Sequence, residues 1–196
     1  MVSRRITIID GHPDPDQLHY VHALADAYER GAREAGHEVR RIAVADLKLP
    51  LLRTAKDFQS GKPSKVVRRC QDDLAWAQHW VILYPLWLGS MPAMLKGFFE
   101  QVGRPGFAFG AARGRGLPRK LLTGRSAHVF VTMGMPAFFY RWYYRSHSLR
   151  SLERNVLAFI GIAPVRSSIV GMVEGVSASV RKKWLQRARA LGARAA

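Results

Sequence analysis

The sequence predicts an α/β protein built as a doubly wound, five-stranded parallel sheet of order 2-1-3-4-5, with helices on both faces. Three observations carry that prediction. Short runs rich in branched and aromatic residues, such as Trp80-Val81-Ile82-Leu83 and Ala127-His128-Val129-Phe130-Val131-Thr132, read as buried strands. Segments with apolar residues every three or four positions alternate with them and read as helices. That alternation favours parallel strands joined by right-handed helical crossovers. In such a sheet ligands bind at the carboxyl edge where the strand order reverses, which selects the loops leaving strands one, three and four.

Arg5-Ile6-Thr7-Ile8-Ile9-Asp10 is the first strand, and Gly11-His12-Pro13-Asp14-Pro15-Asp16 is the loop leaving it. Leu18, Val21, Leu24, Ala25, Tyr28 and Ala32 then share one helical face, with Asp16 available as a cap and Gly36 as the stop. Strand two covers residues 38–44, and residues 46–63 read as an irregular connection broken by Pro50, Gly61 and Pro63. Val66, Cys70, Leu74 and Ala77 mark the second helix. Strand three starts at Trp80 and ends at Pro85, and Pro92 begins a helix over residues 91–102. Residues 111–124 form a basic, glycine-punctuated surface loop with Arg113, Arg115, Arg119 and Lys120. Strand four is 127–132. Leu152, Val156 and Phe159 support a helix stopped at Gly161, residues 164–170 a fifth strand, and Ser177 caps a last helix containing Val180, Trp184, Leu185, Ala188 and Leu191.

The 196 residues, 48% of them hydrophobic, suit one soluble globular domain with a real core. No apolar run is long enough to span a bilayer, and Asp10 interrupts the first one too early for a signal peptide, so a cytoplasmic location is expected. The single cysteine, Cys70, lies on an apolar helix face and reads as packing. A formal net charge of +17 attracts phosphates, polyanions and anionic membranes. It comes without a helix-turn-helix, zinc-finger or RNA-binding signature, so no specific nucleic-acid partner is expected. The sequence also lacks Gly-x-Gly-x-x-Gly, a phosphate-loop lysine, a Gly-x-Ser-x-Gly elbow and metal-ligand spacings, which sets metal and hydrolase chemistry aside.

The most informative stretch is Tyr84-Pro85-Leu86-Trp87-Leu88-Gly89-Ser90-Met91-Pro92-Ala93-Met94-Leu95-Lys96-Gly97, a short loop framed by two prolines between a strand and a helix. Trp87 either walls a planar ligand, with Leu88 and Gly89 offering backbone amides, or packs over the sheet edge. Gly11-His12-Pro13 either places His12 and the first helical N–H groups around a phosphate or forms a tight turn. Asp14 and Asp16 oppose a bare phosphate unless they cap the helix. Thr132-Met133-Gly134 either supplies amides to the far side of the same ligand or simply ends a strand. The run Phe138-Phe139-Tyr140-Arg141-Trp142-Tyr143-Tyr144-Arg145-Ser146-His147 reads as a subunit interface. Tyr140 or His147 can instead deliver or stabilise a proton, and the two roles coexist if the site lies at a dimer interface.

In chain order, His12-Pro13 after the first strand, Tyr84-Pro85-Leu86-Trp87, Pro92-Ala93-Met94-Leu95-Lys96-Gly97-Phe98, Gly106-Phe107-Ala108-Phe109, Thr132-Met133-Gly134 and the segment with Tyr140 and His147 give the chain its resemblance. It resembles the NAD(P)H dehydrogenase (quinone) family, flavodoxin-like flavoproteins of the DT-diaphorase type, over residues 6–170. The resemblance implies a single flavodoxin-like domain with a bound flavin. Its phosphate end would lie at His12, Gln17, Leu18 and His19, its ring against Pro85, Leu86, Trp87, Leu88 and Gly89, and its pyrimidine side toward Thr132, Met133, Gly134 and Met135. Tyr140 and His147 would balance the charge of the reduced ring. NAD(P)H would pass a hydride to the flavin, leave, and be replaced by a quinone or a related electrophilic aromatic. The resemblance also implies a homodimer with the site at its interface. Gln17 and His19 stand where the family usually has serine and asparagine, Met135 replaces a glycine, and Ser146 is an alternative to His147. Phe58-Gln59 resembles a segment near adenine in FAD-binding members and tips the cofactor toward FAD over FMN. The alternative among relatives is a regulatory subunit of a membrane ion-efflux system, peripherally associated with a membrane protein.

Overall fold

Among the described residues there are seven strands, five of them in one parallel sheet. In the computed structural model, which describes residues 2–112 and 116–196, these are β1 (Arg5–Asp10), β2 (Glu38–Ala43), β3 (His79–Pro85), the hairpin strands β4 (Phe109–Ala112) and β5 (Pro118–Lys120), then β6 (Ser126–Thr132) and β7 (Val165–Val170). The sheet order is β2-β1-β3-β6-β7, all parallel. With the antiparallel β4–β5 hairpin set apart, β6 and β7 are the fourth and fifth sheet strands, and the expected 2-1-3-4-5 order holds.

Strand period decides what each face buries. Trp80, Ile82 and Tyr84 of β3 join a core with Cys70 and Leu74 of α3 (Lys65–Trp76) and Leu95 and Phe98 of α4 (Ala93–Val102). Val81 and Leu83 point the other way, into a core with Leu24 and Tyr28 of α1 (Tyr20–Glu34) and Ala188 of α8 (Ala178–Arg194). Every residue of β3 is buried, as a central strand covered on both faces requires. Cys70 is part of the core, and burial pushes its thiol pKa up to about 11, consistent with a packing role.

Several boundaries differ from the sequence reading. Helix α1 begins at Tyr20, so Leu18 lies outside it and is 91% exposed instead of facing the core. The connection after β2 is not wholly irregular: a 3₁₀ turn (Val44–Asp46) and helix α2 (Ala55–Ser60) lie within it, the latter capped by the Thr54 hydroxyl accepting from Asp57 N–H at 3.0 Å. Pro92 sits at the N-cap of α4, one residue before its first turn. The expected basic loop contains the β4–β5 hairpin, and Arg113 and Arg115 lie outside the described residues. Residues 137–160 break into α5 (Ala137–Trp142), α6 (His147–Ser151), a π-helical segment (Leu152–Leu157) and α7 (Ala158–Ile160). Ser177 caps α8 as expected. Among the described residues no helix is long and apolar enough to cross a membrane.

Two buried histidines give the fold an acid limit. His79 Nδ1 lies 2.8 Å from the Ser126 hydroxyl and His128 Nε2 lies 2.9 Å from the Ser168 hydroxyl. Burial, reinforced by the Arg4 and Arg166 guanidinium groups for His79 and by Arg166 for His128, lowers their pKa values to about 3 and about 4. The unfolded chain, with histidines near 6.5, therefore binds more protons than the folded one at mildly acid pH. Their contribution is complete above that pH and is lost as pH falls toward the folded values, at up to ~1.4 kcal/mol per pH unit for each histidine. Urea midpoints measured from neutral pH down to about pH 4 should fall steeply, and His128→Asn should flatten the slope. An identical slope in that variant would rule His128 out as a source.

Candidate functional site

The parallel ladder runs past the ends of the strands: Gly11 N–H donates to Leu83 C=O and Leu86 N–H to Thr132 C=O, both at 2.7 Å. This sets the loops after β1, β3 and β6 side by side. At the end of β1, Asp10 is 1% exposed, and its Oδ2 lies 2.6 Å from both the Arg41 guanidinium and His22 Nδ1. Arg41 also pairs with Asp26. His22 Nε2 faces the Asp14 carbonyl at 2.9 Å, and Asp14 N–H donates to His12 Nδ1 at 3.1 Å. The Asp14 carboxylate pairs with His19 Nε2 at 3.0 Å. Burial lowers the His12 pKa, with His19 and His22 adding like-charge repulsion. The Asp16 N–H and then the His19 ring hold the Asp14 carboxyl below its ordinary range.

The ring of His12 stacks on His19, centroids 4.0 Å apart, and meets Trp87 edge-on at 5.9 Å. Trp87 is held by a tight turn in which Trp87 and Ser90 exchange backbone hydrogen bonds, both 2.9 Å. The turn's central residues, Leu88 and Gly89, have φ of +46° and +77°. Glycine adopts that conformation freely. Leucine does so under strain, with its side chain fully in solvent, a feature associated with ligand-contacting loops.

The start of α1 supplies the polar end of the site. Asp14 accepts from Asp16 N–H at 2.9 Å and Asp16 from Leu18 N–H at 3.0 Å, so both carboxylates are used in the turns before the helix. The expectation that Asp16 caps α1 is therefore corrected: the N-cap is His19, its side chain makes no capping bond, and the first turn carries no acid. His22 N–H donates to the His19 carbonyl at 3.1 Å, which leaves the Tyr20 and Val21 N–H groups at the helix start to face an anion. Arg181, on the first turn of α8, lies over the Tyr20 ring at 5.7 Å and donates to the Val173 carbonyl at 2.6 Å. His12, His19 and Arg181 line a cleft of about 330 Å³ together with Pro85, Trp87 and Thr132, and the Glu174 carboxylate also borders it. Such a donor set suits a phosphate at one end and a flat apolar group at the other, which is the chemistry of a flavin nucleotide.

Of the residues expected at the site, the structure brings His12, Leu18, His19, Pro85, Trp87 and Thr132 to this cleft. Gln17 is exposed, its amide donating to the Pro15 carbonyl at 2.9 Å. Leu88, Gly89 and Gly134 are exposed beside the cleft lining, while Leu86, Met133 and Met135 pack against the core. Tyr140 is buried, its hydroxyl bonded to the Ser148 hydroxyl at 2.7 Å and accepting from Leu149 N–H at 3.2 Å. His147 is exposed at the start of α6, and neither it nor Tyr140 lines the cleft. Phe58 packs on Phe109, centroids 6.3 Å apart. Sequence reasoning missed Asp10, His22, Arg41 and Arg181. An aspartate ending a buried strand was a signal for the first. A fourth carboxyl-edge loop before a Ser177-capped helix was one for Arg181.

A family model described as flavodoxin-like fold matches residues 4–193. The chain belongs to this flavodoxin-like family. Two relatives agree with that membership. The uncharacterized NAD(P)H oxidoreductase YcaK of Escherichia coli (strain K12) is 31% identical over 178 residues, 83% of this chain and 81% of its own length. An FMN-dependent NADH:quinone oxidoreductase of Nitratidesulfovibrio vulgaris is 29% identical over 184 residues, 84% of this chain and 85% of its own. The fold also superposes on the NAD(P)H:quinone oxidoreductase from Methanothermobacter marburgensis with a TM-score of 0.82 at 22% identity, covering 98% of this chain and 96% of that one. In this flavodoxin-like protein the switch point of the sheet lies between β1 and β3, where His12 and Trp87 meet.

Proposed function

We propose that this protein is a flavin-dependent NAD(P)H:quinone oxidoreductase that takes FMN. The observation that carries the proposal is the convergence in one cleft of His12, His19, Arg181 and an uncapped helix N-terminus with the Pro85–Trp87 wall. FMN is named because the Nitratidesulfovibrio vulgaris relative is FMN-dependent; the FAD preference drawn from Phe58-Gln59 finds no support. A flavin bound there supplies two-electron hydride chemistry between NAD(P)H and a quinone.

The chain's own groups bind and orient. Arg181 and the first α1 amides would hold the phosphate, with His12 and His19 beside them, and Trp87, Pro85 and Thr132 would border the ring. The buried Tyr140 hydroxyl is a positioning group in this reading: its bonds to Ser148 and Leu149 anchor α6, which presents the exposed His147 imidazole as the proton-holding group. The homodimer belongs to the same proposal.

The test starts with the purified protein, which should be yellow or turn so with FMN, quench FMN fluorescence on titration, and oxidise NADH or NADPH with a soluble quinone. Arg181→Ala should weaken FMN by about tenfold or more through loss of a charge-assisted phosphate contact, while riboflavin, which lacks the phosphate, binds both forms alike. Failure of the wild-type protein to bind FMN or FAD overturns the enzyme reading. Flavin binding without turnover favours the regulatory-subunit alternative.

A further inference from the structure

The carboxyl edge exposes more apolar surface than one cleft explains. On and after α5, Phe138, Trp142 and Tyr143 are 72%, 78% and 63% exposed, and Met172 on the adjoining loop is 42% exposed. This segment is tied to the cleft, because Met172 N–H donates to the Met135 carbonyl and Val173 N–H to the Met133 carbonyl, and Val173 lines the cleft. Arg141, Arg145 and Arg150 are exposed among these rings. Between Glu100 and Glu153 the chain carries nine lysines or arginines and no carboxylate.

We infer that this face docks onto an anionic phospholipid surface. Tryptophan and tyrosine settle at the headgroup level with their polar edges wet, and arginines beside them meet lipid phosphates. The charge discriminates against the subunit interface that the sequence alone suggested. A twofold contact here would pair the patch with itself, so that the positive charge of Arg141, Arg145 and Arg150, with no acid in residues 137–152 and only Glu174 on the adjoining loop, would meet a like charge. An anionic bilayer supplies that neutralisation. Resting on the oxidoreductase reading, the docking also names the acceptor class as a quinone dissolved in lipid, delivered at the rim of the cleft.

The test measures co-sedimentation of the whole protein, without flavin or quinone, on vesicles of phosphatidylcholine alone and of an equal mixture with phosphatidylglycerol. Binding is expected to the mixed vesicles only. Phe138→Ser/Trp142→Ser and Arg141→Gln/Arg145→Gln should each weaken it on the order of tenfold. Arg166→Gln/Arg194→Gln, which removes two exposed charges at the opposite edge of the sheet, should change it little. Binding lost equally in that control, or unaffected by Phe138→Ser/Trp142→Ser, would show general attraction to a +17 protein and overturn the inference. Size-exclusion chromatography adds a second route to refutation: if Phe138→Ser/Trp142→Ser converts a dimer to a monomer, the face belongs to a second copy. Since no flavin enters the measurement, failure here leaves the FMN titration untouched.

Discussion

Asp10→Ala should destabilise the protein by about 3 kcal/mol or more, because it removes the buried carboxylate that the Arg41 guanidinium and the His22 imidazole share. Asp10 is 1% exposed, and its Oδ2 takes both the Arg41 guanidinium and His22 Nδ1 at 2.6 Å. Arg41 keeps Asp26 and, at 3.7 Å, Glu29, so its charge is not stranded. His22, 3% exposed, loses its carboxylate partner entirely. The damage should reach the cleft as well: His12 N–H lies 3.4 Å from Asp10 Oδ1, and His22 holds the Asp14 carbonyl that fixes the His12 turn. Urea denaturation with and without FMN separates the two effects. The variant should unfold at lower urea and also bind FMN more weakly. Asp10→Asn, which keeps an oxygen acceptor, should fall between. A loss below about 1 kcal/mol in Asp10→Ala would mean that the paired charges only balance the cost of burying them.

Gly31→Ala should be comparably damaging, against its own intrinsic preference. In an open helix the change stabilises by roughly 0.5–1 kcal/mol, since alanine loses less backbone entropy. Here an added Cβ would fall 2.0 Å from the Arg189 carbonyl oxygen, and one at Gly192 would fall 2.1 Å from the Tyr28 carbonyl oxygen. Each glycine thus faces the backbone of the opposite helix, and backbone cannot swing aside as a side-chain tip does. Helices α1 and α8 must part, opening the core that Leu24, Tyr28 and Ala188 share with β3. A loss of about 3 kcal/mol is expected, at the high end for overpacking. Because α8 carries Arg181, FMN affinity should fall with it. An unchanged or raised melting temperature would show that the two helices do not touch at this point.

Much of this molecule was legible because its signals are local. Strand period in Trp80-Val81-Ile82-Leu83, the paired prolines around Trp87 and the Ser177 cap all act within a few residues of themselves. The same locality explains the misses. Leu18 has the right spacing to lie on the α1 face, but the Asp14 and Asp16 side chains form turns that delay the helix to Tyr20. The basic stretch after Gly110 looked like loop because its hairpin is short and glycine-rich, with few strand-forming residues. Asp10, His22, Arg41 and Arg181 come from four different elements, so no spacing relates them, and only the packed sheet makes them neighbours of the site.

The sequence by itself determined the sheet order, the three loops that would converge, and the resemblance to flavin-dependent quinone reductases, since each follows from pattern and chain direction. Tertiary structure decided the rest. It set which of the proposed residues share a cleft, placing Trp87 on its rim edge-on to His12. It buried Tyr140 and tied its hydroxyl into α6. It also left Phe138 and Trp142 in solvent among exposed arginines. Burial and partnership depend on what the chain brings back from far away, and an order of residues does not contain that until the helices and sheet close on one another.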